Sequence, residues 1–159
     1  MAVGTRTPSQ VVGAQVRALR RKREWSQTKL AERLDELGSP GWRQSKITRI
    51  ERGQLARLPL EDVFELAAAL DVSPTYLLAP SSVWNEKGDK PLMIRIGPRI
   101  ARWPQEVRKW IDREQPILKA SNYKTNEEAK AGAQFFYFDS RPLGEWQVDE
   151  LVRQQKEEQ

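Results

Sequence analysis

Four polar residues in the first third of the sequence are spaced so that they share one face of a helix. These residues are Gln44, Ser45, Thr48 and Arg49. The last three follow the first by one, four and five residues. Ile47 and Ile50 fall on the opposite face, where they can pack into a core. A helix fits the major groove of DNA, where glutamine can pair with adenine and arginine with guanine. The pattern therefore predicts a helix that reads base edges with its polar face.

A second predicted helix precedes the reading helix and can fix it on the sugar-phosphate backbone. Ser26 is a good N-cap, and apolar residues recur at helical spacing from Gln27 onwards. The free amides and polar side chains at the start of this helix suit a phosphate group. The glycines and the proline of residues 38–41 then break the helix, before the reading helix runs from about residue 44 to 52. Two helices in this order are typical of a helix-turn-helix unit.

Caps and apolar spacing predict the remaining elements. Three further helices in the first half of the chain are expected at residues 8–23, 60–70 and 74–78. Later in the chain, a short strand is expected at 92–96, with helices at 104–114, from Thr125 to the run Phe135–Phe138, and at 145–156. The predicted fold class is mainly α. A five-helix domain at 1–80 is followed by a linker at 81–91 and a small, mostly helical region with one short strand at 92–159.

Positive charge is concentrated in two blocks of the chain. The whole chain has 27 basic and 22 acidic residues, a net charge of +5. Residues 1–57 hold 13 basic and 5 acidic residues, whereas residues 58–80 hold 4 acidic residues and no basic ones. Residues 87–113 carry a net charge of +5, and residues 114–159 a net charge of −3. Such a distribution is what a surface that binds a polyanion requires.

The sequence contains no Cys and no His. This excludes disulfides, metal sites built on thiolate or imidazole ligands, and catalysis by either residue. A carboxylate-metal nuclease is the enzyme class that remains, but the acidic cluster Glu61-Asp62-Glu65 shows no recognisable metal-binding motif. We therefore expect neither enzymatic activity nor a cofactor or metal.

The chain shows no signal for export or membrane insertion. Its first residues lack the apolar core of a signal peptide, and no apolar run is long enough to span a bilayer. We expect a soluble cytoplasmic protein with no membrane partner.

Residues 12–79 resemble the Cro/CI-like phage repressors, also called the XRE family. The matching residues occur in the family's order, and they are Ser26-Gln27, Leu30-Ala31, Leu34, Ser45, the run Ile47–Gly53, Leu66-Ala67, the run Leu70–Ser73, and Leu77-Leu78. Members have a five-helix, lambda-repressor-like helix-turn-helix domain and commonly bind operators in double-stranded DNA as dimers. The resemblance therefore implies a transcriptional regulator, with repression as its usual action and a homodimer as its usual form.

The resemblance also implies roles for individual residues. The positions of Gln44, Ser45 and Arg49 face bases in the family, and Thr48 shares their face. Arg20 and Glu51 correspond to an internal ion pair that ties the first helix to the reading helix. The position of Gln27 contacts phosphate, and the segment that holds Arg57 touches the backbone. The full set of candidate phosphate contacts is Gln27, Thr28, Lys29, Arg43, Lys46, Arg57 and Arg21.

The link between the two helices of the motif departs from the family pattern. Residues 35–42 make it longer than the usual tight turn, as in the variant common in actinobacterial members, where the second helix is extended. We expect Trp42 to pack against the domain and anchor this longer link.

Several features leave alternatives open. Each charged face can be merely solvated, and this applies to Arg17, Arg21 and Lys22 near the end of the first helix. Arg95, Arg99 and Arg102 lie outside the resemblance and could make a second contact with DNA. The six tryptophans and Phe135–Phe138 suit a core or a dimer interface better than a ligand pocket. The same fold also serves in antitoxins and adaptors, so region 92–159 could bind a protein partner, dimerise the chain or sense a signal.

Overall fold

A computed structural model describes residues 4–84, 88, 90–112, 114–119, 122 and 124–134. Its elements, in chain order, are β1 Thr5–Arg6, α1 Pro8–Lys22, α2 Gln27–Glu36, α3 Gln44–Glu51, α4 Leu60–Ala69, α5 Pro74–Leu78, β2 Met93–Gly97, β3 Ile100–Arg102, α6 Pro104–Ile111 and α7 Asn126–Gln134. The protein is mainly α, as the sequence predicts. Phe135–Phe138 and the predicted helix at 145–156 lie outside the described residues. None of the helices within the described ranges is long and apolar enough to cross a membrane.

The first five helices begin where the sequence predicts, and capping side chains fix the starts of three of them, α1, α2 and α5. At α1, the Thr7 hydroxyl accepts a hydrogen bond from the Gln10 amide, and the Gln10 side chain accepts one from the Thr7 amide. Ser26 and Ser73 cap α2 and α5 in the same way, each through its hydroxyl and the amide three residues later.

The helices α1 to α5 enclose one apolar core. Val16, Leu30, Leu34, Ile47 and Leu66 contribute side chains with no exposed surface. Burying a side chain of this size is worth about 1.5–3 kcal/mol relative to leaving it in water. Packing of these apolar faces, rather than helix propensity, therefore holds the short helices α3 and α5 in place.

A small three-stranded sheet is built from distant parts of the chain. β1 pairs in parallel with β2, and β2 pairs antiparallel with β3, with an irregularity between Arg95 and Gly97. The strand expected at 92–96 is confirmed as β2, whereas β1 and β3 were not predicted. They have two and three residues, too few to show an alternating pattern of their own.

The chain forms two compact units, residues 1–108 and residues 109–159. The first unit contains the five helices and the sheet, which contacts α1 through β2. The Arg108 guanidinium donates two hydrogen bonds, of 3.0 and 2.7 Å, to the Ala79 carbonyl at the end of α5. The described part of the second unit includes α7, whose start is capped by the Thr125 hydroxyl.

Candidate nucleic-acid interface

The reading helix predicted from the sequence is α3, and its two faces differ as expected. Ile47 has no exposed surface and Ile50 has 2%. The side chains of Gln44, Ser45 and Arg49 are exposed on the other side. The buried isoleucines thus hold α3 against the core while its polar side chains remain available to a ligand.

A continuous hydrogen-bond network joins α1, the start of α2 and α3. The Arg20 guanidinium donates to both oxygens of Glu51, over 2.6 and 2.8 Å, in the bidentate geometry that favours arginine over lysine. Gln27 Nε2 donates to Glu51 over 2.9 Å, and Gln27 Oε1 accepts from the Thr48 hydroxyl over 2.7 Å. The network fixes the first side chain of α2 beside the reading helix. It also engages the Thr48 hydroxyl, which lies 2.9 Å from the Gln44 carbonyl as well.

The Arg20–Glu51 pair is buried, and its environment shifts the pKa values of both groups. Burial acts to raise the pKa of Glu51, but hydrogen bonds from Arg20 and Gln27 and the charges of Arg20 and Arg17 outweigh it, so the pKa lies below its ordinary value. The hydrogen bond to Glu51 raises the pKa of Arg20, against the opposing effect of burial. Both groups therefore stay charged at neutral pH.

Lys46 is bound within the protein in this structure. Its Nζ lies 2.8 Å from Asp62 Oδ1 and 3.9 Å from the centre of the Trp42 ring. Asp62 is itself buried, and its other oxygen has no hydrogen-bond partner within the described residues. A cation that neutralises a buried carboxylate and lies on an indole face has a structural role in joining α3 to α4.

Residues 11–78 match the family model of a helix-turn-helix domain. Residues 11–78 therefore form a helix-turn-helix domain. Comparison with curated proteins and with solved structures gives no match. The matched segment runs from α1 to the end of α5, so it contains the network and α3 but not the sheet. A domain of this kind indicates a DNA-binding regulator.

The remaining candidate phosphate contacts differ in whether they have a partner within the protein. Thr28, Arg43, Arg57 and Arg21 are exposed. Lys29 is exposed too, but its Nζ lies 3.6 and 3.8 Å from carboxylate oxygens of Glu32 and Glu36. Exposed pairs of this kind contribute little to stability, so they oppose a phosphate contact only weakly.

The link between α2 and α3 spans residues 37–43, and Trp42 anchors it. Trp42 is 8% exposed and packs in the core, while its Nε1 donates a 2.6 Å hydrogen bond to Glu65 on α4. Gly38 and Gly41 have φ values of 83° and 95°, a region that disfavours residues with a side chain.

Sequence reasoning missed the residue that sets the distance between α1 and α3. A Cβ atom on Gly13 would lie 2.0 Å from the Ile50 carbonyl oxygen, so the two helices can approach this closely only with glycine there. The available signal was a glycine in the interior of a predicted helix, which costs about 1 kcal/mol relative to alanine and usually has a packing reason.

Proposed function

We propose that this protein is a sequence-specific transcriptional regulator that inserts α3 into the major groove of double-stranded DNA. The observation that carries the proposal is the exposed polar face of α3, set against fully buried Ile47 within a helix-turn-helix domain. In this proposal Gln44, Ser45 and Arg49 read bases. Thr48 joins them if its hydroxyl exchanges its internal partner for a base.

The sugar-phosphate backbone is held by residues around α3 in this proposal. Gln27 is favoured for this role because Glu51 and Thr48 orient its side chain at the start of α2. Thr28, Arg43, Arg57 and Arg21 are exposed and free to add contacts. Lys46 contributes only if a phosphate replaces Asp62 as its partner. Contacts of this kind fix the register of the protein on DNA, and the base contacts supply specificity.

We further infer a repressor of the Cro/CI-like phage or mobile-element type, of the variant with a lengthened link seen in actinobacterial members. The ordered residue match and the seven-residue link between α2 and α3 support this assignment. Such a regulator acts as a homodimer on two half-sites about 34–36 Å apart. It works in the cytoplasm, where the DNA is located.

The test is selection of bound sequences from a random duplex library, followed by titration of the winning sequence at several salt concentrations. We expect a defined motif with two half-sites, bound about 10³-fold or more tightly than random DNA. An absence of enrichment, with only weak and salt-sensitive binding, would remove the regulator proposal.

A protein-interaction module, such as an antitoxin or adaptor, is the second candidate. It is favoured by Leu60 and Phe64, which lie one turn apart on α4 and are 60% and 54% exposed. Neighbouring apolar side chains left this exposed suit a protein partner. A stable partner complex that Phe64→Glu abolishes, in a chain that selects no DNA, would favour this candidate over the regulator.

A further inference from the structure

A basic groove runs along α1 beside the end of α3. Its volume is about 560 Å³, and its lining includes four arginines, which come from β1, from α1 and from the C-cap of α3. Arg17 and Arg21 lie one turn apart on α1, Arg52 follows the last residue of α3, and Arg6 belongs to β1. Trp84, a residue that is 47% exposed, lies along the same lining. We call this the arginine groove.

Ion pairs among the described residues do not balance the positive charge of the arginine groove. Among the described residues of its lining, Glu51 is the one carboxylate, and both Glu51 oxygens are already engaged by Arg20, one of them also by Gln27. Within the described residues, Arg6, Arg17, Arg21 and Arg52 form no ion pair closer than 4 Å. Four like charges around one groove repel one another, and a bound anion would relieve that repulsion.

The arginine groove continues to the edge of the reading face. An adjoining cavity of about 160 Å³ shares Arg17, Arg21 and Arg52 with it and is also lined by Gln27 and Thr48. The basic surface thus starts at the side chains expected to contact DNA and extends along α1 to β1. This continuity favours a nucleic-acid strand over a separate small ligand.

We propose that the arginine groove binds phosphates of the DNA backbone outside the base pairs that α3 reads. The proposal rests on the proposed function and extends it to residues outside the helix-turn-helix match. Pairing of β1 with β2 is what brings Arg6 to the groove, so the sheet adds a backbone contact to the five-helix domain. Contacts of this kind raise affinity for every sequence alike and strengthen its dependence on salt.

The test uses the full chain, the selected operator core, and the same core extended by random base pairs on both sides. The variant is R6Q/R52Q, and the matched control is K22Q/R33Q, which removes the same charge from α1 and α2 outside the groove lining. Arg17 is left in place because its charge acts on Glu51. The single variant R52Q serves if R6Q/R52Q melts at a lower temperature than the wild type.

For R6Q/R52Q we expect a smaller slope of log affinity against log salt, by roughly 0.9 for each lost phosphate contact. Affinity near 0.1 M salt should fall roughly tenfold or more on the extended duplex, with the operator-to-random ratio unchanged. The gain in affinity on extending the duplex should also be smaller than in the wild type, with Arg17 and Arg21 supplying what remains. K22Q/R33Q should keep the gain and most of the slope.

Two results would overturn the groove proposal while leaving the regulator intact. One is that R6Q/R52Q binds the operator with the same salt slope, and the same dependence on flanking DNA, as K22Q/R33Q. The other is a calorimetric titration in which ATP binds the wild type one to one and R6Q/R52Q does not, with DNA binding unchanged. The groove would then hold a free nucleotide. If the wild type selects no sequence at all, the proposed function fails instead.

Discussion

Arg49 is the side chain from which we expect the largest effect on sequence preference. It is exposed on α3, forms no ion pair within the described residues, and can donate two parallel hydrogen bonds to guanine. Arg49→Ala should therefore cost about 1–3 kcal/mol at one base position of the operator and relax the preference there. The measurement is affinity for a set of operators, each altered at a single base pair.

Arg33→Ala is the matched control for Arg49→Ala. Arg33 lies on α2, where it is paired with Glu36 at 3.2 Å, so its loss should leave the preference at every base unchanged. If Arg49→Ala kept the full preference at all positions, the reading face would have been assigned wrongly.

Glu51 should make the stability of the fold depend on pH in a defined direction. Its pKa is lowered in the folded protein, so it stabilises the fold at pH values above its ordinary value of 4.5. That contribution is lost as the pH falls below 4.5 and through the lower pKa of the folded state. Glu51→Gln should lower the free energy of unfolding by about 1–3 kcal/mol at pH 7, because Arg20 loses its charged partner.

Urea unfolding at a series of pH values measures this effect. The difference between wild type and Glu51→Gln should be constant near neutral pH and should shrink below pH 4.5. Glu61→Gln, on the exposed side of α4, is the control and should change stability by less than about 0.5 kcal/mol. A difference that grew on acidification would contradict the role given to the Arg20–Glu51 pair.

At the scale of elements, the approach of α1 to α3 depends on Gly13. Gly13→Ala would place a methyl group 2.0 Å from the Ile50 carbonyl, and backbone must move to admit it. We expect a loss of about 1–3 kcal/mol despite the better helix propensity of alanine. Because α3 is displaced, operator affinity should fall as well. Gly97→Ala, where the added methyl meets nothing within 4 Å, should change neither property by a comparable amount.

Thermal unfolding and operator titration of both glycine variants decide this point. Wild-type stability and affinity in Gly13→Ala would mean that α1 and α3 tolerate a wider separation. The position of α3 would then depend on the Arg20–Glu51 pair and the core alone.

The helices could be predicted because their signals are local. Thr7, Ser26 and Ser73 each cap a helix through an amide three residues away, and the apolar faces recur at helical spacing. The helices α1, α3, α4 and α5 accordingly end within one residue of their predicted ends. The partners of Lys46 and Trp42 could not be predicted, because Asp62 and Glu65 reach them only once α4 packs against α3 and the link.

At the scale of the whole molecule, the pairing of strands that are distant in the chain could not be predicted from the sequence. Thr5 pairs with Met93 and Arg6 with Ile94, and a two-residue strand carries no periodicity that could indicate its partner. The arginine groove was missed for the same reason, since Arg6, Arg17 and Arg52 are far apart in sequence. The reading face could be predicted from the sequence because all its residues lie on one helix. Its DNA contacts stay a prediction.

The two compact units suggest different tasks for the two parts of the chain. A fragment of residues 1–112 would keep the first unit and the whole of α6, which ends at Ile111. Because this unit contains its own apolar core and the sheet, we expect the fragment to unfold in one cooperative thermal transition. We also expect it to bind a single half-site as tightly as the full chain does.

The full chain and the fragment should differ on a duplex that carries both half-sites. If residues 113–159 hold two full-length copies together, binding of one copy to its half-site gives the second copy a high effective concentration at the other half-site. The fragment would lose this gain in affinity. Light scattering should then show a dimeric full chain and a monomeric fragment, with cooperative binding only for the former. A fragment that is dimeric and binds both half-sites cooperatively would place the dimer contact in the first unit. The second unit would then be left for a signal or a protein partner.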